Sequence, residues 1–450
     1  MGRRLQIQIQ SKPLIDKVVA PIRYFTDMQA SAGILLLLAT ICALIWANSD
    51  YSEHYFKLWQ QPITVGFGSY TISKSLMLLI NDGLMAIFFF VVGLEIKREV
   101  IAGELNSPKQ AALPIAAAIG GMVVPTLIYW SLNAEGPAKS GWGIPMATDI
   151  AFAIGVLVLL GSRVPAGIKV FLTALAIVDD LGAVLIIAFF YTSELSVLNL
   201  AIGALFLVLL VACNLSGVRH SLVYATLGIG GLWLAFLFSG VHPTIAGVLA
   251  AFTIPANTRI NRKEFLDLTE SAITEFKETP ENENFLSNSA QQNAISTLTV
   301  ATELTSAPLF RLEHALHPWV MFVVMPIFAF ANAGVTIEGS LLQSFSSPLS
   351  LGIILGLVFG KQIGITLFAW LSVKFKLASL PANTTWRHIY GAACLGGIGF
   401  TMSLFIASLA FGDSPQLPPA KTAILIASTI AGVFGVVVLL MGKKKLVRVS

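Results

Sequence analysis

The sequence predicts an all-α integral membrane protein of about twelve transmembrane helices, and three observations predict it. Of its 450 residues, 56% are hydrophobic and 12% charged, about half of the ~25% charged share of an ordinary soluble domain. Apolar stretches of roughly 20 residues, the length that crosses a ~30 Å hydrocarbon layer, recur from residue 30 to the end of the chain. Lys and Arg then sort by loop: with twelve spans, 23 of the 28 fall on one side of the membrane and four on the other, with Lys361 inside a span. That bias is the positive-inside signature and places both termini in the cytoplasm. A water-soluble fold of this length is excluded, and the net charge of +4 follows from topology, with no nucleic-acid partner required.

The spans centre on residues 30–48, 76–96, 111–130, 143–160, 168–191, 197–213, 221–238, 242–256, 316–335, 349–372, 388–411 and 420–441. The eighth is short, and only Ser239 to Pro243 divide it from the seventh. Merging the two would carry Lys443, Lys444, Lys445 and Arg448 to the outer side, so charge keeps them apart. Residues 1–28 form a cytoplasmic arm with five basic residues and no apolar signal core, which argues against a cleaved signal peptide. Residues 29–256 hold the first eight spans, 311–441 the last four, and 442–450 a basic cytoplasmic tail. The outer excursion at 49–75 alternates apolar and polar residues from Ile63 to Ile72 around Gly66 and Gly68, the pattern of a small β-hairpin. A polar cytoplasmic insert at 257–310 carries eight acidic and four basic residues between Arg259 and Phe310 and reads as flexible or partly helical. Cys42, Cys213 and Cys394 all lie in apolar runs and read as small buried hydrophobes rather than disulfide or metal partners.

Five charges sit where a membrane disfavours them: Asp82, Asp149, Asp179, Asp180 and Lys361. Each costs about 2.5–3.5 kcal/mol at a helix centre, on the order of 15 kcal/mol together, unless they face water or one another. They are either ion pairs that fix helix register or the lining of an ion path. Asp179 and Asp180 are ~100° apart on a helix, so one can face a path while its neighbour meets a partner such as Lys361. A carboxylate in such a place binds either a proton or a small hard cation, and the two compete. Competition at one site that opens alternately to either side suffices for exchange.

Backbone signals point to the same region. Gly141, Gly143 and Pro145 precede Thr148 and Asp149, and Gly396, Gly397 and Gly399 interrupt the eleventh span, so both helices are expected to break inside the membrane. They hold corresponding places in two blocks of three spans, 111–191 and 349–441, entered from opposite sides. Such an inverted-topology repeat would cross its broken helices at the midplane, with Asp149 offsetting the positive helix N-termini. Gly352, Gly356, Gly360 and Gly364 form a stripe that suits close helix packing. At the cytoplasmic mouth, Glu95 and Glu99 flank Lys97 and Arg98, while Glu313, His314 and His317 open the ninth span. These are either helix-end charges in contact with water or a titrating cluster. His314 and His317 lack a convincing third metal ligand, and no cofactor is read. His242, beside Pro243, is a weaker candidate on the outer side.

At these residues the chain resembles the NhaA family of bacterial sodium/proton antiporters, an inverted-repeat class of transporter. The matching segments are Asn81 to Ala86, Gly93 to Glu99, Met146 to Phe152, Ile177 to Gly182, Glu313 to Trp319, Phe328 to Gly334, Gly360-Lys361 and Gly397 to Ser403, in the family's order from the second span to the eleventh. The resemblance implies a multi-pass protein of the bacterial inner membrane that expels sodium or lithium in exchange for a larger number of protons, electrogenically and under pH control. It implies that Asp180 and Asp179 hold the transported cation and the protons, that Asp149 with Thr148 sits at the helix crossing, and that Lys361 is the buried lysine partner. Asp82 falls on the outer ion path, and Glu95, Glu99, Glu313, His314 and His317 in the pH-responsive region. The outer hairpin resembles the element through which family members pair as homodimers. Against the family pattern, the 257–310 insert is long and the N-terminal arm extended.

Two other classes fit parts of the pattern. An intramembrane aspartyl protease would use Asp149 with Asp179 or Asp180 to activate water, but the paired aspartates and the lack of a Gly-x-Gly-Asp motif argue against it. A passive cation channel could share the acidic lining. An ATP-driven pump is disfavoured, because around Gly360-Lys361 a P-loop would need glycine at Leu355 and Ser or Thr at Gln362.

Overall fold

The structure, a computed structural model, describes residues 31–67, 70–192, 195–278, 288–336 and 347–441. The N-terminal arm, the basic tail, the hairpin tip at Gly68 and part of the polar insert lie outside the described residues. In chain order the helices are α1 (Ser31–Ala47), α2 (Ser52–Gln60), α3 (Leu76–Ala102), α4 (Pro108–Leu132), α5 (Ile150–Leu159), α6 (Ala166–Phe190), α7 (Val197–Leu215), α8 (Ser221–Leu237) and α9 (Thr244–Thr253). There follow α10 (Arg262–Glu278), α11 (Ser289–Thr305), α12 (Pro308–Asn332), α13 (Pro348–Lys374), α14 (Trp386–Gly396), α15 (Phe400–Phe411) and α16 (Leu417–Leu440). A tight helical segment, Lys139–Met146, precedes α5. Strands β1 (Pro62–Phe67) and β2 (Tyr70–Ser75) make the expected two-stranded hairpin.

Among the described residues, eight helices are long and apolar enough to cross a membrane, or ten if two bent pairs each count as one span. Every expected span falls on a helix, but the eighth window contracts to the ten residues of α9, about 15 Å of helix and half of a bilayer core. The apolar run there is longer than its helix because Pro243 and the turn at Gly240 occupy its start and Ile254 leaves the helix in an extended conformation. α2 does not extend the first span: it turns away by 113° and buries Tyr55 and Trp59 on one face. On α7, Val197, Leu198, Leu205, Val208 and Leu215 are all exposed, and an apolar surface of that kind is matched by lipid. Cys42 likewise faces outward, contrary to the expectation of burial, whereas Cys394 is buried.

The chain forms two compact units. The first comprises residues 1–63, 109–183 and 321–450, and within it the order straight helix, broken helix, straight helix occurs twice: α4, the segment through α5, and α6; then α13, α14 with α15, and α16. The glycine stripe of α13 does what close packing requires. A Cβ at Gly360 would press on the backbone of Pro125, and one at Gly364 on the backbone of Gly120, so α4 and α13 meet main chain to main chain. A π-helical turn, Gly356–Gly360, is inserted in α13 immediately ahead of Lys361.

The second unit comprises residues 64–108 and 184–320. α9 lies along α3, with Gly93 against Ala251 and Gly247 against the backbone of Ala86. α3 also carries a π-helical turn, Ile80–Leu84, which includes Asp82. The polar insert contains a pair of packed helices, α10 and α11, whose buried residues are alanines: Ala272, Ala294 and Ala301. Asn261 and Glu264 exchange backbone-to-side-chain hydrogen bonds of 3.0 Å at the start of α10, a reciprocal cap that sets the first turn. Asn288 caps α11 through Ala290 N and Gln291 N.

In the hairpin, the Thr64 and Ser73 hydroxyls face each other at 2.9 Å, which fixes the register. The double variant Thr64→Cys/Ser73→Cys is expected to close a disulfide within one chain on mild oxidation, detected as protection from thiol alkylation; a one-residue slip of the strands would leave both thiols reactive.

Candidate functional site

Asp149 is the residue on which the first unit's two interrupted helices converge. Ala147 and Asp149 are extended, because Pro145 and the glycines before it end the tight helical segment and the chain must restart. Asp149 caps that restart, its Oδ1 accepting from Phe152 N at 3.0 Å. Its other oxygen, Oδ2, accepts from Thr401 N at 3.1 Å and from the Thr401 hydroxyl, at the start of α15. One buried carboxylate therefore serves two helix N-termini, each carrying roughly half a positive charge. The opposite polarity is also met: Asp149 N donates to Ile398 O at 2.7 Å and the Thr148 hydroxyl to Gly396 O at 2.8 Å, satisfying carbonyls that the break after α14 would leave open. Ser428 on α16 accepts from Phe400 N at 3.0 Å, and the Ser403 hydroxyl donates to Ile144 O at 2.8 Å. Thr148, Asp149, Thr401 and Ser403 are all about 1% exposed or less, so these bonds form without competition from bulk water.

On α6, Asp179 and Asp180 are both buried. Lys361 Nζ, fully buried, lies 2.8 Å from Asp179 Oδ2. Asp179 Oδ1 is a buried oxygen with no hydrogen-bond partner among the described residues, an acceptor that a proton or cation would satisfy. Lys361 passes Gly121 of α4, where a Cβ would lie 3.6 Å from its stem.

The second unit holds two further groups. Arg98 is the centre of one: its Nε lies 3.0 Å from both oxygens of Glu313, and its Nη1 2.7 Å from Glu99 Oε1. His317 Nε2 is 3.9 Å from Glu95 Oε1. His314 turns elsewhere, its ring 3.9 Å from that of Phe310. In the other group, His242 Nε2 is 3.5 Å from Asp82 Oδ1 while Nδ1 is 2.8 Å from Thr244 Oγ1, and Trp233 Nε1 donates to Asp82 O at 3.2 Å. Among the described residues no three His, Cys, Asp or Glu side chains converge as a metal site would require.

A family model described as Na+/H+ antiporter 1 matches residues 23–439. The chain is 53% identical over 434 residues to the Na(+)/H(+) antiporter NhaA of Oleidesulfovibrio alaskensis, covering 96% of each, and 49% identical to that of Koribacter versatilis, covering 94% of this chain and 92% of the relative. It belongs to the NhaA family of Na+/H+ antiporters. It is therefore a multi-pass membrane transporter and not an enzyme. The Na(+)/H(+) antiporter NhaA of Syntrophobacter fumaroxidans is a further relative, 47% identical over 439 residues.

Several residues that build these groups in this NhaA-family chain were not singled out by sequence. Thr401 reads as an ordinary helix threonine, and only the neighbouring Gly399 hints at an exposed helix start. In the sequence Arg98 reads as a flanking charge, yet it is the cation that holds Glu99 and Glu313. Lys97 donates to Phe252 O at 2.7 Å and also to Ile254 O, placing a positive charge at the C-terminus of α9.

Thr401→Val removes a charge-assisted hydrogen bond from a buried carboxylate and is expected to cost about 1.5–3 kcal/mol, read as a lowered melting temperature of the purified protein, whereas Thr401→Ser retains the bond and stays near wild type. Lys361→Met leaves Asp179 as an unpaired buried charge, a loss of about 3–5 kcal/mol; adding Asp179→Asn is expected to restore part of it in a double-mutant cycle.

Proposed function

We propose that this protein is an electrogenic sodium(lithium)/proton antiporter of the bacterial inner membrane, with Asp179, Asp180 and Lys361 as its exchange site. The observation that carries the reading is the buried Asp179–Lys361 pair at 2.8 Å with Asp180 next to it in sequence, in the same unit as the Asp149 crossing. The family's relatives, named Na(+)/H(+) antiporters, support the choice of ions.

The chemistry follows from counting charge. Asp149 is offset by the two helix ends it caps, so it is a fixed structural charge that shapes the site. Asp179, Asp180 and Lys361 together amount to two carboxylates and one ammonium. A sodium ion held by both carboxylates displaces the proton that Asp180 would otherwise carry and competes with Lys361 for Asp179. Release of the ammonium proton as well makes more than one proton leave per sodium, and the exchange then carries net charge. The transported ion is substrate, bound by oxygen ligands of the kind that sodium prefers, and no resident cofactor is invoked. Alternating access is assigned to movement around the paired helix breaks, where polar main-chain groups are already exchanged between segments.

We read both termini as cytoplasmic from the Lys and Arg distribution, Asp82 with His242 as part of the outer ion path, and Glu95, Glu99, Glu313, His314 and His317 as the pH-responsive region. The outer hairpin is assigned to homodimer formation.

Everted membrane vesicles with a preformed acid-inside gradient provide the test. Sodium or lithium is expected to collapse the gradient and potassium is not. Asp180→Asn and Asp179→Asn are each expected to abolish the response while the protein remains inserted. Full sodium-dependent exchange in either variant would remove that residue from the site.

A further inference from the structure

Next to Lys361 in sequence, two polar side chains meet in the seam between α13 and α14, and a third lies one turn further along α13. Gln362 follows Lys361 by ~100° around α13, is 3% exposed and accepts from the Tyr390 hydroxyl of α14 at 2.9 Å through Oε1. Its amide nitrogen is buried with no hydrogen-bond partner, and so is the Thr366 hydroxyl one turn further along α13. Thr366 departs from the habit of helix threonines in this protein: Thr40, Thr226, Thr269, Thr302 and Thr429 each donate to the carbonyl four residues back. Residues four apart on a helix are neighbours at about 6 Å, so the orphaned amide and hydroxyl address the same space. Buried donors are costly to leave open and are satisfied in native proteins by protein groups or by ordered water. Nothing in the Asp149 crossing or the ion pair uses these groups. Tyr390 stands one turn inside α14, near the end that the 375–385 loop joins, so the polar groups run from that end toward Lys361.

We propose that this seam holds ordered water and conducts protons between the Asp179–Lys361 pair and the 375–385 end of α14 along a route separate from the sodium path, with Gln362, Thr366 and Tyr390 as positioning residues. The inference rests on the exchange site assigned above. Each water takes a proton on its oxygen from the side of the pair and releases another toward the 375–385 end, so the amide and hydroxyls orient the chain of water and keep no charge themselves. Tyr390 holds the Gln362 carbonyl, which fixes the amide nitrogen toward the water. Neither α13 nor α14 carries an Asp or Glu, so the two helices that form the seam offer sodium no anionic ligand.

Exchange is measured in proteoliposomes of the full chain across a range of sodium concentrations. Thr366→Val, which keeps shape, and Gln362→Met/Thr366→Val are expected to lower the maximal rate, the double variant by about tenfold, with the sodium concentration for half-maximal exchange within about twofold of wild type. Thr366→Ser is expected to restore the rate. A maximal rate unchanged in the double variant, or a rate and half-saturation that move together in Thr366→Val, would overturn the proton route. Asp180→Asn is measured in parallel: activity there overturns the exchange site itself, whereas an inactive Asp180→Asn beside an unaffected double variant overturns the seam alone.

Discussion

A single buried carboxylate holds the first unit's two broken helices together. Interrupting a helix inside a low-dielectric core exposes main-chain donors and acceptors that cost several kcal/mol each if left open. Asp149 answers for donors at the starts of both α5 and α15, and its own main-chain N–H closes one carbonyl at the end of α14. Without it the two breaks would be a liability; with it they become a polar junction built into an apolar unit. Glycine and proline make the breaks possible, and the carboxylate makes them stable. Its charge is committed to that task, and the exchange chemistry is proposed for other acids.

The acids proposed for it are on α6. Lys361 neutralises Asp179 across a fully buried contact, an arrangement whose desolvation cost rivals its Coulomb gain and which therefore argues for use rather than for stability. The ammonium reaches it from a helix that carries a π-helical turn just before the lysine. Asp82 occupies a second such turn in α3. An inserted residue re-aims the side chains that follow it, so in both units a charged side chain is placed by a local irregularity in a helix that is otherwise regular.

Much of this was legible in the sequence because membranes penalise charge so heavily. Asp149, Asp179, Asp180 and Lys361 stood out against apolar surroundings, the helix breaks were signalled by Gly141, Gly143, Pro145 and Gly396 to Gly399, and the hairpin by strict alternation. What stayed hidden depended on rotation and on partners distant in sequence. The choice of Asp179 for Lys361 depends on the phase of α13, which the turn at Gly356–Gly360 changes without any composition signal. Thr401 and Lys97 act through main-chain groups far along the chain, and such bonds leave no periodic trace. The insert concealed a helix pair because its buried seam is alanine rather than large aliphatic residues, and α9 looked longer than it is because Pro243 and Ile254 extend the apolar run beyond the helix.

The central claim is that sodium and protons compete for the carboxylates of α6, and its most direct measurement is proton release on sodium addition to the purified protein in weakly buffered detergent solution. Wild type is expected to release protons in a saturable manner with sodium and lithium but not potassium, and Asp180→Asn to release fewer or none. Saturable sodium binding with no proton release at any pH would contradict the account.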